Sequence, residues 1–431
     1  MPSLLTLDAE VLRRELAVLE ARYAEHRARG YSLNMARGKP CSAQLDLSRD
    51  MISVLGPDDY RSEDGSDCRN YGGLEGIPEV RRLFAGILGT RPENVLVFGN
   101  SSLNLMYDTI VAALLTPVPG AVQPWVQAER PAFLCPSPGY DRHFAITQKL
   151  NFENIPVRMT PDGPDMDEVE RLVSTNPRIK GIWCVPVYSN PDGITYSADT
   201  CRRLAAMPTA AADFRILWDN AYGLHHLYPD RKSSVPDMVG LCESEGNPDR
   251  VYVFTSTSKV TFAGAGISCM ASSPANIAYR KSVMFYQTIG HDKLNQLRHA
   301  RFLKDLDNVE SLMEHHADIL RPKFETVLDI LENELADSAI AHWNKPLGGY
   351  FISLFAMPGT ASEIVASARV CGVEFTPAGA TYPGGFDPED SNIRIAPSFP
   401  PVSELTPAVE VLCICTKMAA IRKLLANPAS A

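Results

Sequence analysis

The chain has 431 residues, 45% hydrophobic and 21% charged, which is long enough for two globular domains and excludes a fibrous or disordered polymer. Its 41 basic and 51 acidic residues give a net charge of −10, which argues against a nucleic-acid surface and leaves room for a local cationic pocket. No apolar run reaches about 18 residues and no signal peptide opens the sequence, so a cytoplasmic location is expected. Residues 7–29 are rich in Leu, Ala, Glu and Arg at helical spacing, with Leu12, Leu16, Leu19 and Tyr23 on one stripe and Gly30 as the stop. The loop Asn34-Met35-Ala36-Arg37-Gly38-Lys39-Pro40 follows. From about residue 56 an α/β pattern begins. Its strand candidates are Val95–Phe98, Ala132–Cys135, Ile155–Met159, Ile179–Val185, Phe214–Trp218, Val251–Phe254 and Gly266–Ala271. Helical stretches separate several of them, as a mostly parallel sheet requires. Asp305–Leu335 reads as helix bridging to a smaller domain, to which Tyr350–Leu354 and Ile393–Ala396 contribute strands. The limits expected are 1–55 for an N-terminal helix and arm joining the small domain, 56–320 for a large domain and 321–431 for the small one. Ten cysteines without a Cys-x-x-Cys pair do not suggest a disulfide scaffold; Cys135, Cys184 and Cys269 sit in apolar runs and Cys413-Ile414-Cys415 reads as helical core.

Three short segments carry the chemistry: Ser189-Asn190-Pro191-Asp192-Gly193, Asp219-Asn220-Ala221-Tyr222 and Ser256-Thr257-Ser258-Lys259. Each follows an apolar run that reads as a buried strand, so an amide, a carboxylate, a phenol and an amine meet at neighbouring strand ends. The set suits pyridoxal phosphate held as a Schiff base on Lys259, since a desolvated lysine forms imines. Asp219 would keep the pyridine nitrogen protonated and make the ring an electron sink. Asn190 and Tyr222 would hydrogen-bond its phenolic oxygen. Each residue has a plainer reading: Lys259 a solvated charge, Asp219 a helix N-cap. The plain readings do not explain why all three segments occur together and in this order.

That order and spacing resemble the fold-type I pyridoxal-phosphate enzymes, and more closely the class I/II aminotransferases, from about residue 30 to the C-terminus. The resemblance implies a large domain with a seven-stranded, mostly parallel sheet and a small α/β domain from both chain ends. It implies that Tyr140 stacks on the cofactor ring and that His143, three residues later, supports Asp219; a packed tyrosine and a satisfied core histidine are the alternatives. Gly99-Asn100-Ser101-Ser102 precedes a helix with Leu103, Met106, Ile110 and Leu114 on one face. A helix N-terminus is an anion site, although simple capping would look the same. The resemblance assigns Ser101, Ser102 and Ser256 to the phosphate, and Tyr71 to the phosphate of a neighbouring subunit, hence a homodimer. Arg394 is implied to bind the substrate α-carboxylate through its two-point fork, with Asn190 and Gly38 also at the substrate.

One departure stands out. The family places an arginine shortly after the lysine, where this chain has Phe262-Ala263-Gly264-Ala265-Gly266 and no cation. The chain thus resembles a less common, MocR-like aspartate aminotransferase subgroup. Aspartate with 2-oxoglutarate is the expected substrate pair; Arg37, Lys39, Arg142, Lys293 and Arg298 are unranked candidates for the distal carboxylate. A broader-specificity aminotransferase, or a lyase on the same scaffold, stays open. The rivals are weaker. Ser-x-x-Lys hydrolases need Ser-Asp-Asn and Lys-Thr-Gly, and neither occurs. A dinucleotide loop at Gly264 would need glycine where Cys269 stands. A MocR-type regulator would need a DNA-binding domain, and the first 55 residues hold one helix and a loop.

Overall fold

A computed structural model describes residues 3–426. Its thirteen strands, in chain order, are β1 (Leu33–Asn34), β2 (Val95–Phe98), β3 (Ala132–Ser137), β4 (Glu153–Thr160), β5 (Gly163–Pro164), β6 (Ile179–Cys184), β7 (Arg215–Asp219), β8 (Val251–Ser256), β9 (Ser268–Ala271), β10 (Ala341–Trp343), β11 (Ile352–Ala356), β12 (Val373–Glu374) and β13 (Asn392–Ile395).

The main sheet has the order β2-β9-β8-β7-β6-β3-β4-β5. Seven strands form its body, and the two-residue β5 extends one edge. Strands β8, β7, β6, β3 and β4 pair in parallel; β9 alone runs against both of its neighbours, and β5 against β4. Helices Asp141–Lys149, Met166–Thr175, Ala198–Ala206 and Met238–Ser244 fill the connections between the parallel strands. Every residue of β3, β6 and β7 is buried, as expected where helices cover both faces of a parallel sheet. That is why these segments read as continuous apolar runs rather than alternating ones. Gly181 in β6 is a fixed requirement: a Cβ there would lie 2.4 Å from Phe133 Cζ.

A second layer holds the antiparallel sheet β10-β11-β13 and the short parallel pair β1-β12. The Ala9–Ala28 helix starts at Asp8, whose Oδ1 accepts from Glu10 N and Val11 N at 2.9 Å. Leu12 and Leu19 are buried in one cluster with Leu405, Leu412 and Ile421 of the long C-terminal Val402–Ala426 helix, so the two chain ends share a core. Cys413 and Cys415 lie in that core, and all ten cysteines are free and buried. Among the described residues no helix is long and apolar enough to cross a membrane, and no cluster of His, Cys, Asp or Glu is arranged to hold a metal ion.

Strands β2, β3, β6, β7 and β8 all point their C-terminal ends the same way. Their following loops therefore converge on one rim, where open α/β sheets bind ligands.

Candidate active site

The rim and the second layer enclose a cavity of about 570 Å³. The five strands that end at this rim each deliver one element to it: β2 brings Ser101 and Ser102, β3 brings Tyr140, β6 brings Asn190, β7 brings Asp219 and Tyr222, and β8 brings Ser256, Ser258 and Lys259. From the second layer come Gly38, Phe351, Thr376 and Arg394.

Asp219 ends β7 and is 4% exposed. Its Oδ2 accepts from His143 Nε2 at 3.1 Å. His143 is 1% exposed, stacks on Trp183 with ring centroids 4.2 Å apart, and meets Tyr140 edge-on at 4.9 Å. The other carboxylate oxygen, Asp219 Oδ1, is buried and has no hydrogen-bond partner among the described residues. An ionised oxygen left unpaired in the interior is costly, so this atom is built for a donor that a ligand supplies. The helix-cap reading of Asp219 does not account for it.

Lys259 follows β8 with Nζ 4.9 Å from the Tyr222 ring centroid and 5.8 Å from that of Tyr350. Burial lowers its affinity for a proton, and Asp219 acts in the opposite direction. Burial also pushes the Tyr222 phenol well above its ordinary range, so the hydroxyl keeps its proton and serves as a donor. Tyr140 is raised to about 12, first by burial and then by Asp219 and Asp141.

Ser101 caps the Ser102–Leu115 helix, with its Oγ accepting from Asn104 N at 3.4 Å. The first-turn amides of that helix lack intrahelical acceptors and face the same rim. Ser256 Oγ donates to Ser258 Oγ at 3.1 Å, and Ser258 Oγ donates to Asn100 O at 3.1 Å, tying the lysine loop to this helix start. The cations lining the cavity are Arg37, Arg142, Lys259 and Arg394.

Arg394 sits in β13, 8% exposed, opposite Ser353 of β11. Its guanidinium donates to Thr376 Oγ1 from Nη2 at 3.0 Å and from Nε at 3.3 Å. Nη1 reaches Asp141 Oδ1 at 3.2 Å and Asn190 Oδ1 at 3.3 Å. Phe351 lies beneath it, with Arg394 Cζ 5.0 Å from the ring centroid. Gly38 packs against the end of that ring, since a Cβ there would come within 2.2 Å of Phe351 Cζ.

Other residues singled out in the sequence lie elsewhere. Tyr71 is 83% exposed and borders a separate cavity with Gly72, His291 and Lys293. Lys293 donates to the carbonyls of Asn70 at 2.7 Å and Gly72 at 2.5 Å. Arg298 bonds Asn295, and Lys39 stacks on Phe399. Of the five candidate distal cations, Arg37 and Arg142 line the cavity that holds Lys259. Asp141, Thr376, Phe351 and Trp183 were not legible beforehand; only adjacency to Tyr140 hinted at Asp141.

A sheet rim presenting lysine, aspartate, tyrosine and asparagine beside a buried arginine makes this cavity the candidate active site. The comparisons specify it further. The aspartate amino-transferase family model matches residues 7–427. The chain is 48% identical over 424 residues to an aminotransferase-named protein of Mycolicibacterium smegmatis, covering 98% of this chain and 99% of that one. It is 46% identical over 418 residues to an aspartate aminotransferase of Corynebacterium glutamicum, covering 97% and 96%. The crystal structure of an aspartate transaminase from Corynebacterium glutamicum superposes with a TM-score of 0.96 at 46% identity, covering 98% of this chain and 99% of that one. The α-aminoadipate aminotransferase LysN of Thermus thermophilus, in complex with N-(5′-phosphopyridoxyl)-L-leucine, matches with a TM-score of 0.72 at 19% identity over 93% and 95% of the chains, a likeness of fold alone. The chain belongs to the aspartate aminotransferase family and is an aminotransferase, a class that implies pyridoxal phosphate as cofactor.

Proposed function

We propose that this protein transfers the amino group of aspartate to 2-oxoglutarate in a ping-pong reaction, with donor and acceptor using one pocket in turn. The observation that carries the cofactor site is the buried, unpartnered Oδ1 of Asp219 in the cavity that Lys259 lines. Pyridoxal phosphate, when bound, supplies an electron sink that acidifies the α-proton of an amino acid.

The residues divide the remaining work. Lys259 Nζ would hold the cofactor covalently, and Asp219 would accept the hydrogen bond of its ring nitrogen. Tyr140 would lie against the ring, with Asn190 and Tyr222 at its oxygen. Ser101, Ser102, Ser256 and the helix-start amides would hold the phosphate. Tyr71 of a second copy would complete that end in a homodimer; its exposure and its absence from the lining of this chain's Lys259 cavity support the reading. Arg394 would bind the substrate α-carboxylate in place of Asp141, whose carboxylate takes one of its guanidinium donors. Lys259 Nζ, when free of the cofactor, would take the α-proton as a base and give it up again as an acid. A lowered proton affinity suits both roles.

Aspartate rests on the Corynebacterium glutamicum relative and on Arg37 and Arg142, which are exposed, line the cavity and make no ion pair among the described residues. Mixing the loaded protein with single amino acids and following cofactor absorbance tests the choice. Rapid conversion by aspartate and glutamate, and slow conversion by alanine, is expected; equal rates would favour a broad-specificity aminotransferase.

A further inference from the structure

Three buried histidines surround the turn that carries Lys259, and the chemistry above does not use them. They come from three separate elements: His225 from the loop after β7, His299 from the Lys293–Leu303 helix and His316 from the Leu306–Leu335 helix. Their exposures are 3%, 0% and 1%. His225 Nε2 lies 3.2 Å from the Lys259 carbonyl oxygen, and His316 Nε2 lies 3.0 Å from that of Val260. His299 Nε2 lies 3.1 Å from Thr257 Oγ1 and 3.0 Å from Thr261 Oγ1. All four contacts fall within residues 257–261.

The partners dictate the tautomers. A carbonyl oxygen only accepts, so His225 and His316 carry their proton on Nε2. His316 Nδ1 then accepts from Gln44 Nε2 at 3.1 Å, and the same amide nitrogen donates to the Tyr350 hydroxyl at 3.0 Å. Gln44 Oε1 is taken by Cys41 N at 3.2 Å, which fixes the amide's orientation. His299 has the opposite arrangement: its Nδ1 donates to Asn295 O at 2.7 Å, so in the neutral ring Nε2 is the acceptor, facing the Thr257 and Thr261 hydroxyls. A second proton on His316 would meet the Gln44 amide donor instead of an acceptor. Burial, the leading cause in each case, agrees with this geometry: it lowers His225 to about 3 and His299 and His316 to about 4.

We propose that His225, His299 and His316 are positioning residues that clamp the Thr257–Thr261 turn as neutral imidazoles in fixed tautomers, and so aim the Lys259 side chain into the cavity. The proposal rests on the reading of Lys259 as the cofactor lysine. The clamp adds no positive charge beside an amine that must lose its proton, which a lysine or arginine holding the same carbonyls would do.

The test uses full-length protein with nitrogen-15-labelled histidine, first without cofactor. Three histidines should stay neutral from about pH 8 to about pH 5.5, with His225 and His316 protonated on Nε2 and His299 on Nδ1. Titration of any of them near about 6.5, or a reversed tautomer, overturns the clamp whatever the variants do. In His316→Leu, amide hydrogen exchange of residues 257–261 should quicken by about tenfold or more, while His315→Leu, at an exposed neighbour, leaves it unchanged. His316→Gln, which keeps a donor, should restore most of the protection. In loaded protein His316→Leu should lower kcat by about tenfold with donor KM within about twofold. Unchanged exchange or unchanged kcat refutes the positioning role. Failure of the cofactor-lysine reading looks different: a cofactor adduct on another lysine, with exchange and tautomers as expected.

Discussion

His143 Nε2 sits 3.1 Å from Asp219 Oδ2 while Asp219 Oδ1 has no partner, so one carboxylate is held by the protein through one oxygen and offered to the cavity through the other. The Trp183 ring stacked on His143 keeps this pair in one orientation.

The two oxygens should have unequal value. Asp219→Asn removes the negative charge facing the ring nitrogen and should cost at least about 3 kcal/mol in kcat/KM, by analogy with charged hydrogen bonds. His143→Leu leaves that charge in place and should cost about 1–2 kcal/mol. Tyr222→Phe removes one neutral hydrogen bond and should cost about 1 kcal/mol. Steady-state rates of the three variants check the ranking; equal losses would mean the cofactor lies the other way round.

Arg394→Lys keeps the charge and loses the fork, so kcat/KM should fall by about 2–3 kcal/mol for every donor, aspartate and alanine alike. Arg37→Ala and Arg142→Ala should penalise only dicarboxylic donors. If Arg394→Lys spares alanine, Arg394 reads the side chain and the two substrate ends are reversed.

Gly38→Ala should damage the same site by displacing the Phe351 ring. The added methyl would collide with the Phe351 ring, which supports Arg394. Donor KM should rise by about tenfold or more, while cofactor capture, followed by absorbance, stays near that of the wild type.

Asp192 gives a pH prediction. It is 2% exposed, and burial raises its carboxyl from 3.8 to about 7, opposed only by the Ser353 hydroxyl. The folded protein therefore keeps this proton where the unfolded chain has released it. That contribution to stability is fully present below 3.8, declines as pH rises, and is lost above about 7. Asp192→Asn abolishes the dependence. Its stability relative to the wild type should rise between about pH 4 and about pH 8, by at most about 4 kcal/mol, from the linkage of about 1.4 kcal/mol per pH unit. Urea midpoints at the two ends measure it; a difference independent of pH would contradict the assignment.

Much of this was legible in the sequence because parallel strands buried on both faces are short apolar runs, and the residues just beyond them are the rim. Lys259, Asp219, Asn190 and Tyr140 were readable for that reason, and Arg394 from a strand near the C-terminus. The contacts around them were not. Thr376, Phe351 and Asp141 approach Arg394 from three unrelated segments, and no local pattern encodes that meeting. The histidines of the lysine turn are equally hidden: His299 and His316 lie on helices, 38 or more residues beyond the turn they hold, and a buried neutral histidine looks in sequence like any other. Lys293 and Arg298 fit the cation requirement by type, yet the fold turns them toward Asn70, Gly72 and Asn295.

The most direct test is borohydride reduction of the protein loaded with pyridoxal phosphate, followed by peptide mass mapping. The account predicts loss of the visible absorption band and a single reduced cofactor adduct on Lys259, absent in Lys259→Ala, which should remain folded and inactive. An adduct on another lysine, or none with the cofactor supplied in excess, would contradict it.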